Sequence, residues 1–90
     1  MIYKIVYAKN AINQLNKLPK LLRKRITNKL YFYSKQDNPL VFARKLTVTV
    51  SGEYRFRIGE YRAIFDIDKQ GNINVLYILV VRHRKDIYRK

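Results

Sequence analysis

The sequence predicts an α+β fold in which two N-terminal helices pack on a mainly antiparallel sheet, with the elements in the order β-α-α-β-β-β-β. Three observations lead there. β-Branched and aromatic residues dominate the first positions, and apolar residues then recur at helical spacing as far as Tyr33. Everything after Asn38-Pro39 either alternates in polarity or runs apolar between glycine-bearing turns. At 90 residues the chain is expected to form one domain, residues 1–90, around a modest core.

Ile2, Tyr3, Lys4, Ile5, Val6 and Tyr7 read as a short first strand. Ala11, Ile12, Leu15 and Leu18 then fall at helical spacing, and Pro19 suits the first turn of a second helix, where its missing N–H costs nothing. Leu22, Ile26, Leu30 and Tyr33 form the apolar stripe of that helix. Its other face carries Lys20, Arg23, Lys24 and Lys29, which suit either a solvated surface or phosphate contacts in a large ribonucleoprotein. Asn38-Pro39 ends the helical region, because the residue before a proline is driven from the α region.

Four strands are expected in the remainder. Leu46, Val48 and Val50 alternate with Lys45, Thr47 and Thr49 before a Ser51-Gly52 turn. Tyr54 to Arg62 reads as two strands closed at Gly59-Glu60, and alternation sends Arg55 and Arg57 to one face with Tyr54, Phe56 and Ile58 on the other. Ala63, Phe65 and Ile67 suggest a buried strand face, and Lys69 to Asn72, with Gly71, turns into the last strand. Val75 to Val81 is apolar on both faces, so that strand should lie at the centre of the sheet.

Composition removes several function classes. Without cysteine there is no disulfide scaffold and no thiolate nucleophile or ligand, and a single histidine, His83, makes a zinc site improbable. No metal or cofactor is expected. Met1 to Lys9 lacks the continuous apolar stretch of a secretory signal, and Val75 to Val81 is far shorter than the roughly 20 residues that span a membrane. A cytoplasmic protein is the expectation. Twenty Lys and Arg against six Asp and Glu give a formal charge of +14, which favours a polyanion or an acidic protein partner. A highly charged surface with no specific partner, or attraction to anionic lipid, is the alternative.

The last strand runs into Arg82, His83, Arg84, Lys85, Asp86, Ile87 and Tyr88, delivering cations, an imidazole and a phenol to one strand end. That combination suggests an RNA site in which Arg84 and Lys85 bind the backbone. If the Tyr54–Arg62 hairpin shares a sheet with this strand, Arg55, Arg57, Arg62 and Arg82 could surround one phosphate. Arg55 and Arg57 could instead face solvent or pair with Glu53, Glu60 or Asp66. Tyr61 suits the core better than a base-stacking platform. Asp66, Asp68 and Asp86 form no carboxylate pair at useful spacing.

The Leu18-Pro19 break, the segment from Tyr54 to Arg62 and the closing His83 to Tyr88 occur in an order and spacing that resembles the RelE/ParE superfamily of small toxins, and most closely its RelE-like branch. The resemblance covers nearly all 90 residues. It implies a toxin that cleaves messenger RNA in the ribosomal A site without a metal and is neutralised by a cognate antitoxin in a hetero-oligomer. Carried over by position, Arg62 matches an arginine that supports the scissile phosphate, Arg82 one proposed to protonate the leaving group, and Tyr88 a tyrosine near the attacking hydroxyl. His83 matches a common family histidine. Arg55 and Arg57 stand where well-studied members have lysines, and arginine cannot serve as a general base.

Cleavage by the ribose 2′-OH on its own adjacent phosphate suits this set, because RNA supplies the nucleophile. The protein need supply only a base, an acid and cations for the transition state. Tyr88 is the first candidate base, since nearby arginines would favour its phenolate. His83 is the second. Two other readings stay open: a ParE-like inhibitor of DNA gyrase on the same fold, or a catalytically degenerate member that binds nucleic acid or antitoxin.

Overall fold

A computed structural model describes residues 3–45 and 54–87. The chain runs through β1 (Lys4–Tyr7), α1 (Lys9–Asn16), α2 (Lys20–Ser34), a 3₁₀ turn (Pro39–Phe42), β2 (Ala43–Lys45), β3 (Tyr54–Ile58), β4 (Tyr61–Gln70), β5 (Ile73–His83) and a short α3 (Arg84–Ile87). This is the expected α+β fold, with α3 added at the end. The alternating segment Leu46 to Val50 and the Ser51-Gly52 turn lie outside the described residues.

The two long helices are separated where the proline demands it. Leu18, before Pro19, leaves the helix, and Pro19 takes an extended ψ of 146°. Pro19 is therefore the cap of α2 rather than a member of its first turn, and its carbonyl accepts the Arg23 N–H at 2.9 Å. Ile26, Leu30 and Tyr33 are buried on the expected stripe, with Leu22 packed beside them. Ile12 departs from its helical pattern: only Ala11 and Leu15 of α1 are buried, and Ile12 is 45% exposed. α2 already ends at Ser34, and Asn38-Pro39 instead opens the 3₁₀ turn, where the Asn38 side chain accepts the Leu40 N–H at 3.2 Å.

The sheet has the order β1-β5-β4-β3-β2. Only β1 with β5 is parallel, and the other pairs are antiparallel. β5 is thus central, which explains a strand apolar on both sides. Phe56, Ile58, Ala63, Phe65, Leu76, Ile78 and Val81 share one core with α1 and α2, and Phe56 stacks on Phe65 at 4.1 Å and on Tyr33 at 4.4 Å. Truncating a fully buried phenylalanine such as Phe56 to alanine costs roughly 3–5 kcal/mol.

Two local devices set which residues reach which face. Ile64 pairs with Val80 but Phe65 with Ile78, so Leu79 is an extra residue in β5. That bulge puts both Ile78 and Val81 against the helices. At the β3–β4 hairpin, Ile58 and Tyr61 flank a two-residue turn whose Gly59 has φ +58°, a type II′ requirement that glycine meets without steric cost.

Candidate nucleic-acid interface

In an antiparallel ladder, directly paired residues share a face of the sheet. Arg57 pairs with Arg62, and Arg62 with Arg82, so three arginines form a row across β3, β4 and β5. The adjacent core positions Phe56, Ala63 and Val81 face α1 and α2; the row therefore lies on the opposite face. Arg55, two residues from Arg57, joins that face, as the alternation predicted. Arg57 and Arg82 are exposed and Arg55 is half-buried. Further along the same face, Asp66 stands opposite Tyr77 and Asp68 opposite Val75, which also pairs with Lys4, so the arginine end is wholly cationic and the far end is mixed in charge.

Arg62 is the unusual member. It is 5% exposed, and its Nη1 donates to the carbonyl oxygens of Gly59 at 3.0 Å and Tyr61 at 2.9 Å. The hairpin that introduces Arg62 therefore also holds it. Its Nε is buried and has no partner among the described residues, a state that costs free energy in the unliganded protein.

The C-terminal candidates separate from this row. His83 pairs with Tyr61 on the face toward the helices, and the two rings meet edge to face at 5.3 Å. Its Nδ1 accepts the Lys85 N–H at 3.2 Å. His83 thus stands on the helix side of the sheet, in an open cleft of about 520 Å³ lined also by Lys17, Leu18, Tyr61 and Asp86 and bordered by its chain neighbour Arg82. Alternation along β5 dictates this, because adjacent residues of a strand point oppositely. Tyr61 packs against the core, as expected.

Arg84, read from sequence as an RNA contact, donates its N–H to the Glu60 carbonyl at 2.7 Å and its Nε to the Glu60 carboxylate at 2.7 Å. Glu60 is therefore paired with Arg84, which ties α3 to the turn that holds Arg62. Lys85 is exposed on α3. Tyr88 lies outside the described residues. Burial raises the phenol pKa of Tyr7 and of Tyr33 above the usual tyrosine value, and both belong to the helix-side core.

One arginine escaped the sequence reading. Arg44 pairs with Arg55 and so joins the same face. The signal was a strand that begins at Ala43, hidden because the apolar alternation is plain only from Lys45 onward.

The profile described as the ParE toxin of the type II toxin-antitoxin system parDE matches residues 5–88. The chain belongs to this toxin family. The toxin is a member of the RelE/ParE superfamily, and its fold is similar to that of solved relatives. One is the toxin-antitoxin complex RelBE2 from Mycobacterium tuberculosis, 26% identical, covering 93% of this chain and all of that one at a TM-score of 0.78. The archaeal RelE-RelB complex from Pyrococcus horikoshii is 27% identical over 93% of this chain and 97% of its own, at a TM-score of 0.66. The RelB-RelE complex from Methanococcus jannaschii is 28% identical over 92% and 94%, at a TM-score of 0.58. No curated protein matches the sequence. Among the described residues, no helix of the toxin is long and apolar enough to cross a membrane.

Proposed function

We propose that this toxin is a ribosome-dependent, metal-independent endoribonuclease that cleaves messenger RNA in the A site and so inhibits translation. The observation that carries the reading is the row Arg57, Arg62 and Arg82, which crosses three strands on the face opposite the helices. A phosphate lying on that row meets cations from three directions. Arg62, buried and held by the turn carbonyls, supplies its charge from beneath the phosphate, between the exposed Arg57 and Arg82.

In the reaction the 2′-oxygen bonds to the adjacent phosphorus as its proton passes to a base. The bond from phosphorus to O5′ breaks, and O5′ takes a proton. The products are a 2′,3′-cyclic phosphate and a 5′-hydroxyl end. Arg57 and Arg62 stabilise the charge on the phosphorane-like transition state, and Arg82, at the β5 end of the row, gives O5′ its proton and is reprotonated from solvent. Tyr88 is the assigned base, because it matches by position the tyrosine near the attacking hydroxyl in the RelE-like branch and because cations favour a phenolate. His83, across the sheet from the row, is the poorer choice. Arg55 and Lys85 bind backbone, whereas Arg84 acts through Glu60 to hold α3.

An antitoxin partner completes the proposal. The similar structures named for RelE are complexes with RelB, and a formal charge of +14 suits an acidic segment laid on the arginine face. The toxin is accordingly assigned to a cytoplasmic hetero-oligomer until the antitoxin is lost.

The test is primer-extension mapping of a defined messenger RNA on stalled ribosomes, with wild-type toxin, Arg62→Ala and a control without ribosomes. A-site cuts that require both ribosome and Arg62 support the assignment. A second reading, inhibition of DNA gyrase, is favoured by the ParE name of the matching family. Loss of gyrase supercoiling with no messenger cleavage would select it.

A further inference from the structure

Arg44 extends the cationic face to a fourth strand. Its neighbour Ala43 pairs with Phe56 and packs on the core, so the intervening position, opposite Arg55, belongs to the other side of the sheet. Five arginines therefore occupy two rows. Arg57, Arg62 and Arg82 make the first; Arg44 and Arg55 begin the second, which continues through Ile64 and Val80.

The rows are two residues apart on β3, about 7 Å, and each step between strands is about 4.8 Å. Arg82 on β5 and Arg44 on β2 are three such steps apart, about 14 Å across the sheet. One phosphate could engage both ends only if the Arg44 and Arg82 side chains lay flat along the sheet toward each other, whereas side chains stand roughly perpendicular to a sheet. The second row is itself apolar at Ile64 and Val80, and beyond it β4 carries Asp66 and Asp68, with Lys4 in the Asp68 row only at the far β1 edge. A polyanion seated on the arginines is thus repelled from the far end of β4 and drawn over β3 toward β2. A duplex centred on the first row would bring its second backbone toward Asp66 and Asp68, whereas one strand fits the cationic end alone.

We propose that Arg44 and Arg55 form a second phosphate subsite, which holds a neighbouring phosphate of a single-stranded polynucleotide whose reacting phosphate lies on Arg57, Arg62 and Arg82. This rests on the reading of the arginine face as an RNA site. Arg44 contributes affinity and the path of the strand, and takes no part in proton transfer.

The experiment measures binding of antitoxin-free toxin to a single-stranded 2′-O-methyl RNA oligonucleotide, which has no 2′-OH to attack, by fluorescence anisotropy over a range of salt. Wild type is compared with Arg44→Ala, Arg44→Lys and, as a charge control remote from the rows, Lys69→Ala. For a single strand the slope of log K against log salt is about −0.7 for each phosphate neutralised. Arg44→Ala should flatten the slope by about that amount, Arg44→Lys should restore it, and Lys69→Ala should leave it at the wild-type value. Equal changes for Arg44→Ala and Lys69→Ala, with wild type binding normally, overturn the subsite and leave the RNA reading standing. A loss seen only with duplex RNA overturns the single-strand assignment. Absence of salt-dependent binding by wild type overturns the subsite together with the reading on which it rests.

Discussion

Replacing Arg62 by methionine should separate what this residue does for stability from what it does for activity. The substitution keeps the long side chain and removes the charge. It forfeits two hydrogen bonds from Nη1 to the carbonyls of Gly59 and Tyr61, each worth roughly 1.5–3 kcal/mol when the donor is charged. It also removes a buried donor with no partner, a cost of about 1–3 kcal/mol, and the desolvation of a cation that is only 5% exposed, several kcal/mol more in typical cases. Gly59 is at an exposed hairpin tip, so water can replace the lost donor at its carbonyl. These terms nearly offset, and the net change should stay within about 2 kcal/mol, or roughly 8–16 °C in Tm for a chain of this size. Loss of a transition-state cation should slow cleavage by about 10²–10³-fold. Thermal denaturation and single-turnover cleavage on programmed ribosomes measure the two quantities. A variant that fails to fold would make Arg62 a structural latch for the hairpin. One that folds and cleaves at the wild-type rate would remove Arg62 from the chemistry.

Three other outcomes are expected. Tyr88→Phe keeps the ring and deletes the hydroxyl, so single-turnover cleavage should collapse while binding persists; an unchanged rate makes Tyr88 structural. Gly59→Ala places a Cβ where nothing lies within 4 Å but φ is +58°, so its cost is backbone strain alone, about 1–2 kcal/mol by denaturant titration; no loss would mean that the turn is not held in the left-handed region. Tyr7 has its phenol pKa raised by burial, so above about pH 10 the unfolded chain releases that proton before the folded one does. Stability should be fully present below that pH and fall as pH rises beyond it, and Tyr7→Phe should soften the fall in an alkaline denaturation series.

Much of the architecture was legible because its signals are local. The Leu22, Ile26, Leu30 and Tyr33 stripe, the proline that separates the helices, and the glycines at the two hairpin tips each act within a few residues of themselves. The apolar run of β5 disclosed a central strand for the same reason, since burial on both sides leaves no polar position to keep. Ile12 misled because helical spacing marks a face without saying how much of it is covered; α1, only eight residues long, buries just Ala11 and Leu15. The last strand also concealed its bulge at Leu79, because no residue type marks a slip between one apolar position and the next.

The sequence by itself determined the two long helices, most of the strands, the charge and the face that Arg55 and Arg57 share, since helical and strand periodicity are properties of a single segment. Only the tertiary structure decided which residues from different segments meet. Register across β2, β3, β4 and β5 aligned Arg57, Arg62 and Arg82, brought Arg44 beside Arg55 and turned His83 to the other side with Tyr61. Folding also gave Arg84, a candidate nucleic-acid contact, an ion pair with Glu60. Register depends on pairing between distant stretches of chain, and a shift of one residue reverses every side chain. No stretch of chain carries that information alone.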